Sequence, residues 1–256
     1  MSYFLLVIIG LITGSITSLV GASAVTLIVP ALSMLFHVDA HTAIGTSLFV
    51  DIITSLVVSY SYHKKGNVEL KSALWIAVAA VIGAQFGSAL ANNTKGATLS
   101  GLFGAFMILS GVMSLRKQHK HEQKPKQPLH FKHEWQQILV SILIGLGIGV
   151  ISGIFGAGGG VMILMALIFI LNYPMHVAVG TSTLVMAITA TSSEIGYAIH
   201  GHVDLLYGLI LTVGAVIGGA VGAKYANKIN DDVLQTILNW FFILMGVMMI
   251  AQTLIK

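Results

Sequence analysis

The sequence predicts an all-α polytopic membrane protein made of two inverted repeats, each with five helical elements, the first two of each repeat forming a broken or re-entrant helix pair. Three observations predict it. Of 256 residues, 56% are hydrophobic and only 9% charged, against roughly 25% charged in a soluble domain. An ordered set of unusual residues recurs 135 positions later with no gap. Equivalent loops of the two halves differ in their Lys and Arg content, as they do when they face opposite sides of a bilayer.

The repeat is carried by residues that chance would not align. Gly21 matches Gly156, His41 matches His176, and Gly45-Thr46-Ser47 matches Gly180-Thr181-Ser182. Tyr62, Gly66 and Val68 match Tyr197, Gly201 and Val203; Asn92 matches Asn227; Gly111-Val112-Met113 matches Gly246-Val247-Met248. Internal symmetry of this kind is the mark of many transporter folds. It divides the chain into a first transmembrane repeat at 1–115, a basic linker at 116–134 and a second transmembrane repeat at 135–256.

In the first repeat, apolar runs cover 3–20, 24–36, 44–62, 73–91 and 97–115. The run at 24–36 reaches about 20 Å as a helix, short of the roughly 30 Å hydrocarbon core, so it is a half-helix. The second repeat has runs at 135–155, 161–171, 177–200, 205–226 and 233–255. An early apolar run followed by Ala22-Ser23-Ala24 resembles a signal peptide, but it lacks a basic start and has a mid-chain counterpart, so it reads as mature structure. His119, His121, His130 and His133 lie in the hydrophilic linker without a spacing that would hold a metal, so neither metal nor cofactor is expected. With no cysteine there is no thiolate ligand, thiol nucleophile or disulfide.

The positive-inside rule gives the orientation. With the linker in the cytoplasm, Lys64, Lys65, Lys71, Lys224, Lys228 and the six linker cations are inside, leaving Lys95 and Lys256 outside. Both termini are then outside a cell membrane, and a parallel repeat is disfavoured. The cations sit in short loops, which argues against nucleic acid as a partner; the expected partners are the lipid bilayer and a small anionic solute, and assembly into oligomers is compatible with this reading.

The chemistry is expected at the two helix breaks, Gly21-Ala22-Ser23-Ala24 and Gly156-Ala157-Gly158-Gly159-Gly160. A helix restarting at membrane depth presents free N–H groups and the positive end of its dipole, which suits an anion. The plain alternative is close glycine packing. The predicted substrate-binding set is Ser23, Gly158, Gly159 and Gly160 with the hydroxyls of Thr46, Ser47, Thr181 and Ser182; for the hydroxyls the alternative is helix capping. Asp51 and Glu194 are intramembrane carboxylates, hence proton-coupling candidates, or else groups that reach interfacial water. His41 and His176 fall in loops on opposite faces and read as structural.

Gly156-x-Gly158-Gly159-Gly160, a G-T-S in each half, and Tyr-x3-Gly-x-Val followed by an acidic residue in each half (Glu69, Asp204) resemble the sulfite exporter TauE/SafE family over essentially the whole chain. The resemblance implies transport of small sulfur oxyanions or organosulfonates such as sulfite or sulfoacetate. A Pro that commonly follows the family's glycines is absent at Met165 and present in the other half as Pro30, so the two sites are not equivalent. A secondary transporter working by alternating access is the expected class. A passive anion channel would share the breaks, and a membrane-embedded enzyme lacks a nucleophile with a base in reach.

Overall fold

A computed structural model describes residues 2–118, 134–155, 159–169, 171 and 173–225, and within the last segment 236, 239–240, 243–244 and 246–251. All regular structure among the described residues is helical. The complete helices are α1 (Ser2–Val20), α2 (Val25–Leu35), α3 (Ala40–His63), α4 (Leu70–Asn92), α5 (Gly96–Gln118), α6 (Glu134–Phe155), α7 (Gly159–Phe169), α8 (Met175–Ile199) and α9 (Leu205–Tyr225). Further helical turns appear at 246–251, where Met249 is fully buried. Most of the linker lies outside the described residues.

Among the described residues, five helices are long and apolar enough to cross a membrane, including Ala40–His63 and Leu205–Tyr225. Their outward faces carry Phe86, Leu90, Leu143 and Val213, all exposed. Such a surface belongs against acyl chains, because water would penalise each exposed side chain by kilocalories. Polar residues turn inward instead: Thr46, Ser47, Asp51, Thr54, Ser55, Thr181, Ser182 and Ser193 are all fully buried on α3 and α8.

Both central helices stop by the same device but start differently, since Asp39 caps α3 through its side chain and Pro174 at the start of α8 supplies no side-chain cap. Asp39 caps α3 by accepting from the His41 N–H at 3.0 Å. At the far end Gly66 takes a positive φ of 73°, and the Asn67 N–H closes on the Tyr62 carbonyl at 3.0 Å. Gly201, with φ 75°, and the His202-to-Tyr197 bond at 3.0 Å end α8 in the same way. A side chain with a Cβ would be strained at either glycine. The capping residues also extend the helices toward their N-termini, so His41 and His176 sit in first turns rather than in loops.

Packing is reciprocal between the halves. α3 and α8 pair at the centre, α1 lies along α9, and α4 lies along α6. A Cβ on Gly10 or Gly14 would overlap the carbonyls of Leu211 or Ala215; one on Gly145 or Gly149 would meet those of Ile76 or Ala80, the same contacts 135 residues on. Small residues here let backbones touch, which is the main source of helix association in lipid. Two hydrogen bonds exchange in the same manner: Asp204 N–H donates to Thr46 Oγ1 at 2.8 Å, and Glu69 N–H to Thr181 Oγ1 at 2.9 Å.

Directions follow from these contacts. Val7, Leu11 and Ser15 meet Gly214, Gly218 and Gly222 in order, so α1 and α9 run the same way. Gly45, early in α3, meets His202, just past α8, so the central pair is antiparallel. The α4–α5 turn joins the same end, where His41 Nε2 donates to Thr94 O at 2.9 Å. The other end gathers Tyr62, whose hydroxyl donates to Ser18 O at 3.0 Å, and Lys65, whose Nζ donates to Ala223 O at 3.1 Å. α1 therefore runs from the end where α3 starts toward the end where α3 stops. The chain returns through residues 21–24 and the half-length α2, so the first two elements leave and regain one face.

Candidate functional site

The first break is held by a carboxylate from the neighbouring helix. Gly21 adopts φ 69°, and its N–H closes α1 on the Thr17 carbonyl at 2.9 Å. The chain then turns so that α2 starts against Asp51. Asp51 lies eleven residues beyond the start of α3, about 16 Å along it at 1.5 Å per residue, which is near the middle of the helix. Its side chain is fully buried. Oδ1 accepts from the Ala24 N–H at 2.8 Å and Oδ2 from Ser23 Oγ at 2.7 Å, with Ser55 Oγ at 3.4 Å from Oδ1. Ser23 Oγ in turn accepts from the Val25 N–H at 3.3 Å. Asp51 thus does not reach interfacial water; it sits on the positive end of α2 with donors at both oxygens.

The second break meets the first. Gly160, in the first turn of α7, is so close to its neighbours that a Cβ there would overlap Met186 Sδ and lie 2.9 Å from Gly21 O and 3.2 Å from Ser23 N. Across the contact, a Cβ on Gly21 would be 3.3 Å from Ser182 Oγ. One place in the middle of the protein therefore collects Gly21 and Ser23, Gly160, Ser182 and Met186. Residues 156–158 lie outside the described residues, so Gly158 of the predicted set is not placed; Gly159 is the first residue of α7.

The other predicted hydroxyls divide. Ser47 Oγ donates to Ile44 O at 2.7 Å and Ser182 Oγ to Val179 O at 3.0 Å, leaving each oxygen able to accept. Thr46 and Thr181 lie five residues nearer the starts of α3 and α8 than Asp51 and Met186 do. There each accepts an N–H from the loop that follows the other half's central helix, an anchoring bond that leaves the hydroxyl proton free to donate. Glu194, in α8, is half-buried, and Gln85 from α4 reaches Ser192 two residues away at 2.8 Å. Glu194 does not join the breaks, as Asp51 does.

Histidines gather where the halves meet at one end. The rings of His41 and His202 stack with centroids 4.9 Å apart, and Asp39 Oδ2 lies 3.2 Å from His41 Nδ1. His202, in the α8–α9 turn, has its pKa lowered by burial and by the facing His41, against the pull of Asp39. No group of three metal-ligating side chains occurs among the described residues.

Thr17 is a residue the motifs did not single out. It lies one turn before Gly21, is buried, and its Oγ1 has no hydrogen-bond partner among the described residues. Its counterpart at offset 135 is Ser152, also buried. The repeat itself was the signal, since both halves carry a hydroxyl just ahead of the break.

The family model described as "Sulfite exporter TauE/SafE" matches residues 6–249. The chain is 32% identical over 272 residues to the probable membrane transporter protein YunE of Bacillus subtilis, covering 98% of each chain. It is 30% identical to the probable membrane transporter protein YdhB of the same organism, covering 91% of this chain and 94% of that one. A probable membrane transporter protein of Methanocaldococcus jannaschii is 28% identical, with 96% and 94% covered. No solved structure matches.

Proposed function

This chain belongs to the sulfite exporter TauE/SafE family and is a multi-pass membrane transporter rather than an enzyme; we propose that it is a secondary carrier of a small sulfur oxyanion or organosulfonate, working by alternating access. The observation that carries this reading is the meeting of the two helix breaks at Gly160, Gly21 and Ser23, halfway along the central helices. An anion there is held by the N–H groups at the start of α7, with Ser182 and Ser23 beside it; their hydroxyl protons face Val179 O and Asp51, so a serine joins the backbone donors by rotating its hydroxyl toward the ligand. Neutral donors to a charged ligand contribute roughly 1.5–3 kcal/mol each, so a few suffice for binding and still permit release. Thr46 and Thr181 anchor the loops at either end, where a gate must loosen on alternate sides. The reciprocal contacts favour halves related by a two-fold axis in the membrane plane, which is how inverted-repeat carriers expose one site to each side in turn.

Asp51 couples a proton to this movement. Its carboxylate and a bound anion would share one small space, since Ser23 touches both Asp51 and the Gly160 wall. Proton loading removes that repulsion, so anion and proton occupy the carrier together. Glu194, away from the breaks, is not required. The lysine and arginine distribution supports a cytoplasmic linker with both termini outside a cell membrane, and no nucleic acid is involved.

The test is a thermal-shift screen of sulfite, sulfoacetate, thiosulfate and taurine on the purified protein, followed by counterflow in proteoliposomes. A stabilising ligand that exchanges across the membrane and saturates supports the carrier. Conductive, non-saturating flux would make the protein a channel. Asp51→Asn should keep counterflow and lose proton-driven accumulation.

A further inference from the structure

The two breaks are built alike but furnished differently. At the first, three polar side chains surround the start of α2: Ser23, Asp51 and Ser55. Their counterparts 135 residues on are Gly158, Met186 and Ala190. None of these can accept a hydrogen bond through its side chain with any strength, and Met186 and Ala190 are buried to within 2% of full coverage. The first break therefore contains its own anion, and the second has an apolar wall where that anion would sit. No Lys or Arg lies within the central helices α3 and α8 to balance a carboxylate, so the start of α2 is what holds the charge of Asp51.

We infer that Asp51 is a built-in counter-anion that fills the first half's helix start, confining the substrate anion to the second half's start, with Met186 at the position of the missing carboxylate. This rests on the reading of the breaks as the substrate site and makes Asp51 and Met186 positioning residues for it. A thioether beside the ligand adds a soft, polarizable surface, which favours an oxyanion with an apolar side over a fully hydrated inorganic one.

Chemical rescue tests the assignment without depending on the substrate. In Asp51→Ala, the start of α2 loses its carboxylate and gains a cavity of that shape. Formate added to the purified full-length variant should restore it, raising Tm saturably by roughly 3 °C or more beyond any effect on the parent. A variant that responds to formate no better than the parent overturns the inference, because the start of α2 would then not be a place that holds an anion. If Asp51→Ala yields too little folded protein for melting, formate during its solubilisation should raise its folded yield severalfold; no rise is equally fatal. The second arm compares Met186→Asp with Met186→Asn, using sulfite and sulfoacetate as probes. Met186→Asp should melt at least as high as Met186→Asn and bind the probes at least tenfold more weakly than the parent; unchanged binding overturns the one-site assignment. If the parent binds none of the probes while formate rescue succeeds, the substrate reading fails and the role of Asp51 stands.

Discussion

Gly160→Ala adds one methyl at the tightest point between the breaks, and its effect can be worked out from the surrounding atoms. The new Cβ would overlap Met186 Sδ and sit 2.9 Å from Gly21 O and 3.2 Å from Ser23 N. The sulfur ends a flexible side chain and can swing away. The Gly21 carbonyl cannot, because Gly21 is fixed by its positive φ and its bond to Thr17. Overpacking of this kind costs about 1–3 kcal/mol, which lowers Tm by roughly 2–4 °C for each kcal/mol in a chain of this length. Gly147→Ala is the control: it lies in α6, nothing lies within 4 Å of its Cβ, and replacing an unhindered helical glycine gains roughly 0.5–1 kcal/mol. Thermal unfolding in detergent should therefore move in opposite directions for the two variants. Adding Met186→Ala to Gly160→Ala should recover only part of the loss, since the carbonyl contact remains. Counterflow per folded molecule should fall steeply for Gly160→Ala and stay at the parent level for Gly147→Ala. A Gly160→Ala protein that melts within about 1 °C of the parent and transports as well would show that the two breaks do not need to meet this closely.

Other outcomes follow from single contacts. Tyr197→Phe removes a hydroxyl that donates to Ile154 O at 2.9 Å, and should lower stability by about 1 kcal/mol in denaturant titration. Thr46→Val and Thr181→Val each leave a loop N–H without its acceptor; each should cost roughly 0.5–1.5 kcal/mol and change the rate of counterflow more than the affinity measured by thermal shift. Because His202 has its pKa lowered in the folded protein, its contribution to stability is complete above the ordinary histidine value. That contribution is lost as pH falls through the ordinary value toward the lowered one, where the unfolded chain takes up a proton that the folded one resists. His202→Asn, the residue found at the equivalent Asn67, should flatten the pH dependence of Tm in that window. A single cysteine introduced at Lys124 into this cysteine-free chain should escape an impermeant maleimide in intact cells and react after lysis.

The helices of the described residues, the short second element and the first break were legible because each rests on composition or on interruption of an apolar run, which the sequence displays directly. The offset of 135 went further than periodicity could, since it named the partners Thr46 and Thr181 in advance as equivalents. What it could not show is that an equivalent pair works by contacting the opposite half: Thr46 meets Asp204, not a residue of its own repeat. Asp51 was visible as an isolated carboxylate, but its partner Ser23 lies 28 residues earlier, and only the return of α2 beside α3 brings them together. The starts of α3 and α8 were placed late, because His41 and His176 interrupt the apolar pattern while Asp39 and Pro174 permit the helix to begin before it.

Duplication explains why such a pair of breaks exists, and the electrostatics of the bilayer explains why the two copies should diverge. Two empty helix starts meeting at mid-depth would place two positive dipole ends together with no counter-charge whenever the carrier is unloaded, in a medium where charges are weakly screened. Two resident carboxylates would be as poor, since they would repel each other and the substrate alike. One of each would leave Asp51 on the start of α2 and, beside it, a second helix start with no carboxylate of its own. On the proposed mechanism, binding of the substrate would put one anion too many in the space, and a proton on Asp51 would relieve that excess. On this reasoning the glycine run at 156–160 and the Ser23–Asp51 pair are complementary rather than degenerate copies, and exchanging them should move the substrate to the other half without abolishing it. Combining Asp51→Met and Ser23→Gly with Met186→Asp and Gly158→Ser makes that exchange. Retained sulfite binding in the fourfold variant, beside loss in Met186→Asp alone, is the expected result; loss in both would mean that the second half's start has a property beyond its lack of a carboxylate.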